Sequence, residues 1–349
     1  MGDPARITKT NDRGGGKMAQ ESKGIREHAA LRTLAPGERF CGYYLLQSAL
    51  SATTGAGKPY LNLRLADRSG ELPGKLWDYA GPIGAADAGR IVWTSGRVET
   101  YQSAPQASLD TLRLADESDD VDPARLVPAA PYDAGQMLDY VERTLGKLAD
   151  GDYRAVCLVM LERHRDAFAV IPGGKTMHHG FLHGLLMHTA KMMQAADTLS
   201  RLYSDVIDRS LLIAGAFLHD IGKVEEFRTT ELGMVSDYSA EGQLLGHLFL
   251  GAEEVGEAAR EIGIPEEKRM LLQHLIVSHH GRPEFGTIVT PRCAEAELLA
   301  NLDMIDSRME MYRKAFEETP AGMFSRQKIY GLNNSAIYRP AAKAEPETD

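Results

Sequence analysis

The sequence predicts two domains of different class, an all-β barrel followed by an all-α helical bundle, and two patterns carry that expectation. Residues 38 to 118 hold five short runs of alternating apolar and polar side chains broken by turn signals. Beyond residue 178 the apolar positions recur every three or four residues, and nine of the eleven histidines gather between 178 and 280. The 349 residues, 43% of them hydrophobic, are enough for two cores.

Residues 1 to 36 are rich in Gly, Lys, Arg and polar side chains without periodicity, and include Gly14-Gly15-Gly16; they read as a disordered leader, with Met18 as an alternative start. The strands follow as Phe40 to Leu50, Tyr60 to Ala66, Glu71 to Trp77, Ile91 to Tyr101 and Ser108 to Leu114. Turn signals part them at Thr54-Gly55-Ala56-Gly57, Asp67-Arg68-Ser69-Gly70 and Gly81-Pro82. Five strands with a long connection between the third and fourth suit an OB-fold over residues 37 to 120.

Alternation assigns the barrel's faces. Leu61, Leu63 and Leu65 point one way with Leu72 and Leu76, which leaves Tyr60, Asn62, Arg64, Lys75 and Trp77 on the outer face. Aromatic platforms interleaved with cations are what single-stranded nucleic acid uses for stacking and phosphate contact, so these five are the candidate nucleic-acid residues. Packing of Trp77 under the barrel rim or against the second domain is the competing expectation. Gly55-Ala56-Gly57-Lys58-Pro59 is not a phosphate loop, because the full spacing is absent and proline follows the lysine.

Residues 121 to 177 read as a linker and helical connection. The domain at 178 to 330 then offers helices ending on potential metal ligands: Leu182, Leu185, Leu186, Met192 and Leu199 around His188, and Leu211 to Leu218 before His219-Asp220. His247 follows Gly246, Leu271 to Ile276 run into His279-His280, and Ala296 to Leu302 lead to Asp303. Imidazole with carboxylate suits first-row transition metals, and an adjacent His-Asp pair lets one carboxylate bridge two ions. Lys223, three residues after Asp220, is expected to reach a substrate oxygen, so Asp220 and Lys223 are the candidate catalytic pair. His28, His164, His183 and His274 match no element of this pattern and read as structural or solvated, while His178 and His179 either line the site mouth or cap the first helix.

The order His, His-Asp, His, His-His, Asp, with gaps of 31, 27, 32 and 23 residues, resembles the HD-domain phosphohydrolases. A barrel followed by such a domain is similar to the YhaM-type 3′-to-5′ exoribonucleases. Gly57-Lys58-Pro59-Tyr60, His178-His179-Gly180-Phe181, Gly331-Leu332-Asn333-Asn334 and Tyr338-Arg339-Pro340 add to that likeness. The resemblance implies metal-dependent removal of nucleotides from single-stranded 3′ ends, with manganese commonly favoured. The expected cofactors are two divalent transition-metal ions, Mn first and then Fe or Co. Cyclic-dinucleotide or nucleotide phosphohydrolysis is the alternative within enzymes, although the Gly-Tyr-Pro element of cyclic-dinucleotide enzymes is missing after His279-His280. A non-catalytic nucleic-acid-binding protein with a structural metal is the alternative outside them.

The net charge of -10 argues against bulk non-specific nucleic-acid binding. The acidity concentrates in residues 178 to 330, with 15 basic against 23 acidic side chains, where bound dications would offset it. Cys41, Cys157 and Cys293 form no C-x-x-C and predict free thiols in a reducing compartment. Without a membrane-length apolar run or a signal h-region, the expectation is a cytoplasmic protein whose partner is single-stranded nucleic acid, RNA first, with a homo-oligomer left open. Residues 331 to 349 form a C-terminal extension whose tail after Tyr338 reads as unstructured.

Overall fold

The computed structural model describes residues 25 to 341 apart from 103, 117, 120, 175 to 179 and 231. The chain divides after Asp116 into two compact units. In the first, β1 (Arg26–Glu27) pairs parallel with β2 (Arg39–Thr53), which continues through β3 (Pro59–Asp67) to β4 (Gly70–Trp77) in antiparallel order. β4 pairs parallel with β6 (Ala104–Leu114), β6 antiparallel with β5 (Ile91–Tyr101), and β5 antiparallel with β2. That last pairing closes a five-stranded OB-fold barrel, and closure removes the free edges an open sheet would expose.

The alternating side chains fill this barrel as their period requires. Phe40, Tyr44, Leu46, Leu61, Leu63, Leu65, Leu72, Leu76, Val92 and Val98 form its core, and Asn62, Arg64 and Trp77 face out. The β3–β4 turn is tight because the Asp67 carboxylate accepts from the backbone N–H of Ser69 at 2.7 Å and of Gly70 at 3.1 Å. Its other oxygen takes the N–H of Leu31 at 2.8 Å, tying the segment before the barrel to its wall.

The second unit is helical. α1 (Ala134–Gly146), α2 (Gly151–Val170), α3 (Gly184–Leu202) and α4 (Arg209–Leu218) are followed by the short α5 (Lys223–Glu226). A hairpin of β7 (Phe227–Thr229) and β8 (Val235–Tyr238) leads to α6 (Ala240–Leu244), α7 (Gly246–Ile262), α8 (Glu266–Ser278) and α9 (Ala294–Glu318). Asp133, Asp150 and Asp208 cap α1, α2 and α4 by accepting backbone N–H groups of their first turns. α4 is buried along its whole length, from Ser210 to Leu218, which makes it the central helix. α1 and α2 lie within 121 to 177, yet Val141, Leu145, Val156, Met160 and Phe168 belong to the same core as α3, α4 and α8. β9 (Met323–Phe324) and β10 (Tyr338–Arg339) pair antiparallel, so the C-terminal extension is folded within its described residues, and the tail expected to be unstructured lies outside them from 342 on. The three cysteines are free thiols, and among the described residues no helix is long and apolar enough to cross a membrane.

Candidate metal centre

The ends of the packed helices bring the seven candidate ligands together. α3 presents His188 from a buried turn, α4 stops at His219-Asp220, α7 contributes His247 in its first turn, α8 stops at His279-His280, and α9 carries Asp303. Two flanking glycines make this approach possible. A Cβ on Gly222 would lie 2.3 Å from the carbonyl oxygen of His247 and 2.6 Å from the nitrogen of Gly251, so only glycine lets the His-Asp turn meet α7. Gly281, at φ +74°, takes the left-handed turn that ends α8 immediately after the paired histidines.

Asp220 lies at the centre of this cluster. Its Oδ2 is 3.3 Å from His219 Nε2 and 3.6 Å from His188 Nε2, while its Oδ1 is 3.6 Å from both His247 Nε2 and His279 Nε2. The candidate ligands fall into overlapping groups of three, one of which, His219, Asp220 and His279, spans both sides of the carboxylate. His188, His219 and Asp303 present ligand atoms within 4.8 Å of one another, as do His247, His279 and His280. One carboxylate thus faces two ligand groups, one through each oxygen.

Each of four imidazoles is anchored through Nδ1. His219 meets the Ala216 carbonyl at 3.0 Å and His279 the Ile276 carbonyl at 2.8 Å; a carbonyl only accepts, so each Nδ1 carries a proton and each Nε2 faces the cluster. His188 Nδ1 is 2.7 Å from Asp306 Oδ2, and His247 Nδ1 is 3.0 Å from Glu226 Oε1. Asp306 and Glu226 therefore orient two of the candidate ligand rings. No motif named them, because each is one acidic residue among many in this unit.

Burial pushes His279 down to about 3 and lowers His280 as well, so both rings are neutral near pH 7. Burial opposes charge on His188 too, but hydrogen bonds to Asp303 and Asp306 outweigh it and raise the ring to about 9. Burial would raise the Asp220 carboxyl, yet the Lys223 ammonium and His219 hold it well below the usual carboxylate range. Asp303 is held low against its burial chiefly by His188.

Three buried atoms of the cluster, Asp220 Oδ1, His247 Nε2 and His280 Nδ1, have no hydrogen-bond partner among the described residues. The Nε2 atoms of His188 and His219 are only 3.1 Å apart. Orphaned buried acceptors are costly in a pocket meant to stay empty, and divalent cations bound among these side chains would satisfy them. The donor set fits such ions.

Lys223 is bound to the centre of the cluster. Its ammonium donates to Asp220 Oδ2 at 2.7 Å and to the Gly173 carbonyl at 2.8 Å, so one proton holds the central carboxylate and a second anchors the ammonium to the backbone. The unmatched histidines have local structural contacts: His164 pairs with Glu254, His183 with the Ala169 carbonyl, His274 accepts from the Arg292 N–H, and His28 stacks on Tyr43. His178 and His179 lie outside the described residues.

On the barrel, Tyr60 and Trp77 are register partners with ring centroids 5.1 Å apart, and Lys75 is opposite Asn62 on the same face. The Lys75 ammonium lies 5.4 Å from the Tyr60 ring, 5.1 Å from Trp77 and 5.0 Å from Tyr101. Tyr101 was missed by alternation within β3 and β4 because it stands at the end of β5. Arg64 is less available than the sequence implied, since it pairs with Glu71 at 3.0 Å.

Residues 185 to 308 match the HD domain family. The fold and its buried histidine–aspartate centre thus define an OB-fold protein carrying an HD domain. The chain is 35% identical to the 3′-5′ exoribonuclease YhaM of Halalkalibacterium halodurans over 87% of its own length and 94% of that protein. It is 34% identical to the YhaM of Shouchella clausii, over 93% of this chain and 99% of that one, and 33% to that of Bacillus subtilis, over 91% and 98%. It belongs to the YhaM 3′-5′ exoribonuclease family. Among solved structures, the second OB-fold domain of replication protein A from Methanococcus maripaludis aligns with 28% of this chain and all of that domain, at 19% identity and a TM-score of 0.21.

Proposed function

We propose that the chain is a metal-dependent 3′-to-5′ exoribonuclease that holds single-stranded RNA on its barrel and hydrolyses it at the centre of its helical domain. The observation that carries the mechanism is the division of Asp220 between two ligand groups, its Oδ2 toward His188 and His219 and its Oδ1 toward His247 and His279. His188, His219 and Asp303 would hold one divalent ion, and His247, His279 and His280 the other, with Asp220 shared. Bound there, such ions would polarise the scissile phosphodiester and provide a nucleophile at neutral pH. Imidazole-rich ligation favours Mn, Fe or Co over Mg, which prefers oxygen.

The chain's own groups prepare that chemistry. Burial keeps His279 and His280 neutral, so their lone pairs stay free at physiological pH. Lys223 and the orienting carboxylates Asp306 and Glu226 fix the ligands before substrate arrives, which spares the reaction the cost of arranging them. Tyr60, Trp77 and Lys75, with Asn62 beside them, offer stacking and charge to a flexible strand. Arg64 contributes once its pair with Glu71 opens. Three free thiols fit a reducing cytoplasm.

Incubation of 5′-labelled single-stranded RNA with protein and Mn²⁺ should yield a ladder shortening from the 3′ end, with none under chelator. Release of the 5′ label as a mononucleotide from the outset would refute the direction. Turnover undiminished by chelator would refute the metal dependence.

A further inference from the structure

The C-terminal extension, absent from the mechanism above, builds a cavity of about 700 Å³ against the end of α9. We propose that this cavity is a second binding site for single-stranded RNA, a reading that rests on the proposed nuclease function. Lys314 of α9 lines it together with Arg326, Lys328 and Tyr330 of the extension, and no carboxylate is among its described lining residues. All three cations are exposed, and among the described residues none of them has an ion pair. That is a local reversal of charge in a unit that is acidic as a whole. Tyr330 is 83% exposed, an aromatic face with nothing packed over it. Cations for phosphates beside a free ring for a base are the components of a sequence-tolerant single-strand site. The volume lies in the range of pockets that enclose small ligands.

The cavity is built by specific interactions rather than by a loose tail. Arg339 donates from Nη1 to the carbonyls of Phe316 at 2.5 Å and Thr319 at 2.9 Å, covering the negative end of α9 that would otherwise repel a phosphate. Ser325 Oγ donates to the Gln327 carbonyl at 2.8 Å and accepts from the Ile337 N–H at 3.0 Å, which fixes the segment carrying the cations. Asn333 and Asn334, at φ 58° and 52°, reverse the chain in the left-handed region that asparagine tolerates best after glycine, and Leu332 and Ile337 are buried beneath. Gly331-Leu332-Asn333-Asn334 and Tyr338-Arg339-Pro340 are thus the framework of this site.

The test measures binding without cleavage. Full-length protein in EDTA is titrated against a fluorescent single-stranded RNA of roughly 20 nucleotides, across a range of KCl, by anisotropy. The variant Lys314→Gln/Arg326→Gln/Lys328→Gln should lower the slope of log K against log salt by about 2, as three lost phosphate contacts require, and weaken binding roughly tenfold. Tyr330→Ala should weaken binding with the slope unchanged, because stacking releases no counterions. If the triple variant unfolds early on heating, Arg326→Gln and Lys328→Gln singly carry the test, each lowering the slope by about 0.7. Wild-type affinity and slope in a folded variant would overturn the proposal. So would poly-glutamate binding as tightly as RNA and losing as much in the variant, which would mark an acidic protein partner instead. The nuclease reading is judged separately by Mn²⁺-dependent digestion, so either can fail while the other stands.

Discussion

Trp77 is 46% exposed on the outside of a closed barrel, whereas His219, Asp220 and His279 are 0%, 3% and 1% exposed where helices end against one another. The outer face tolerates change because water satisfies whatever a substitution uncovers. In the buried cluster most polar atoms are held by a specific partner, and removing one leaves that partner uncompensated in a dry setting. Loss at the centre should therefore be steep and loss on the barrel graded, an ordering that substitution can break.

The steepest loss is expected at Asp220, which both ligand groups share. Asp220→Ala should lower turnover of RNA and of a small chromogenic diester alike, by roughly 10³-fold or more, and reduce the metal retained after gel filtration. Elemental analysis beside steady-state rates reads both. Full metal content in an inactive variant would shift Asp220 from ligation to proton handling, and unchanged activity would end the two-ion arrangement.

The next effect belongs to a group one step removed. Asp306→Asn keeps the shape but weakens the hydrogen bond that aims His188 Nε2 inward. Metal affinity or activity should fall roughly 10- to 100-fold, the usual cost of losing an orienting carboxylate, with excess Mn²⁺ restoring part of the rate. A rate insensitive to added metal would instead give Asp306 a role in packing α3 against α9.

This ordering also tracks what could be read from the sequence. The seven candidate ligands were legible because they recur in fixed order with characteristic neighbours, and the β3 and β4 faces because alternation has a period of two. Asp306 and Glu226 were not, since an orienting carboxylate looks like any other acidic side chain until the imidazole it faces is located. Tyr101 joined Lys75 only when the barrel closed, a tertiary event no local pattern records. Lys223 is legible as part of the site, but its bond to the Asp220 oxygen 2.7 Å away is not, because sequence distance cannot tell that oxygen from one on a substrate. α1 and α2 carry ordinary caps and apolar stripes but no motif, so their place in the helical core stayed hidden.

On the barrel, Tyr60→Ala/Trp77→Ala should weaken RNA binding by about 1 to 3 kcal/mol per lost stack and leave metal content intact. Turnover of a ~20-nucleotide RNA should then fall more than turnover of a small diester, which needs no stacking platform. Equal losses on both substrates would mean that the tilted pair supports the fold. No loss on either would move the strand's path off this face.

The smallest effect separates two cations on that same face. Lys75 lies among three aromatic rings with no carboxylate partner among the described residues, while Arg64 is paired with Glu71 at 3.0 Å and both partners are about half exposed. An exposed pair of this kind is worth about 0 to 1 kcal/mol, so the Arg64 charge is already partly spent before RNA arrives. Arg64→Gln should leave the salt dependence of RNA binding almost unchanged, whereas Lys75→Gln should lower its slope by about 0.7, one single-strand phosphate. Anisotropy titrations in EDTA at several salt concentrations distinguish the two. Should Arg64→Gln cost as much as Lys75→Gln, Glu71 must release its partner on binding, and Glu71→Gln would then tighten RNA binding by freeing the guanidinium in advance.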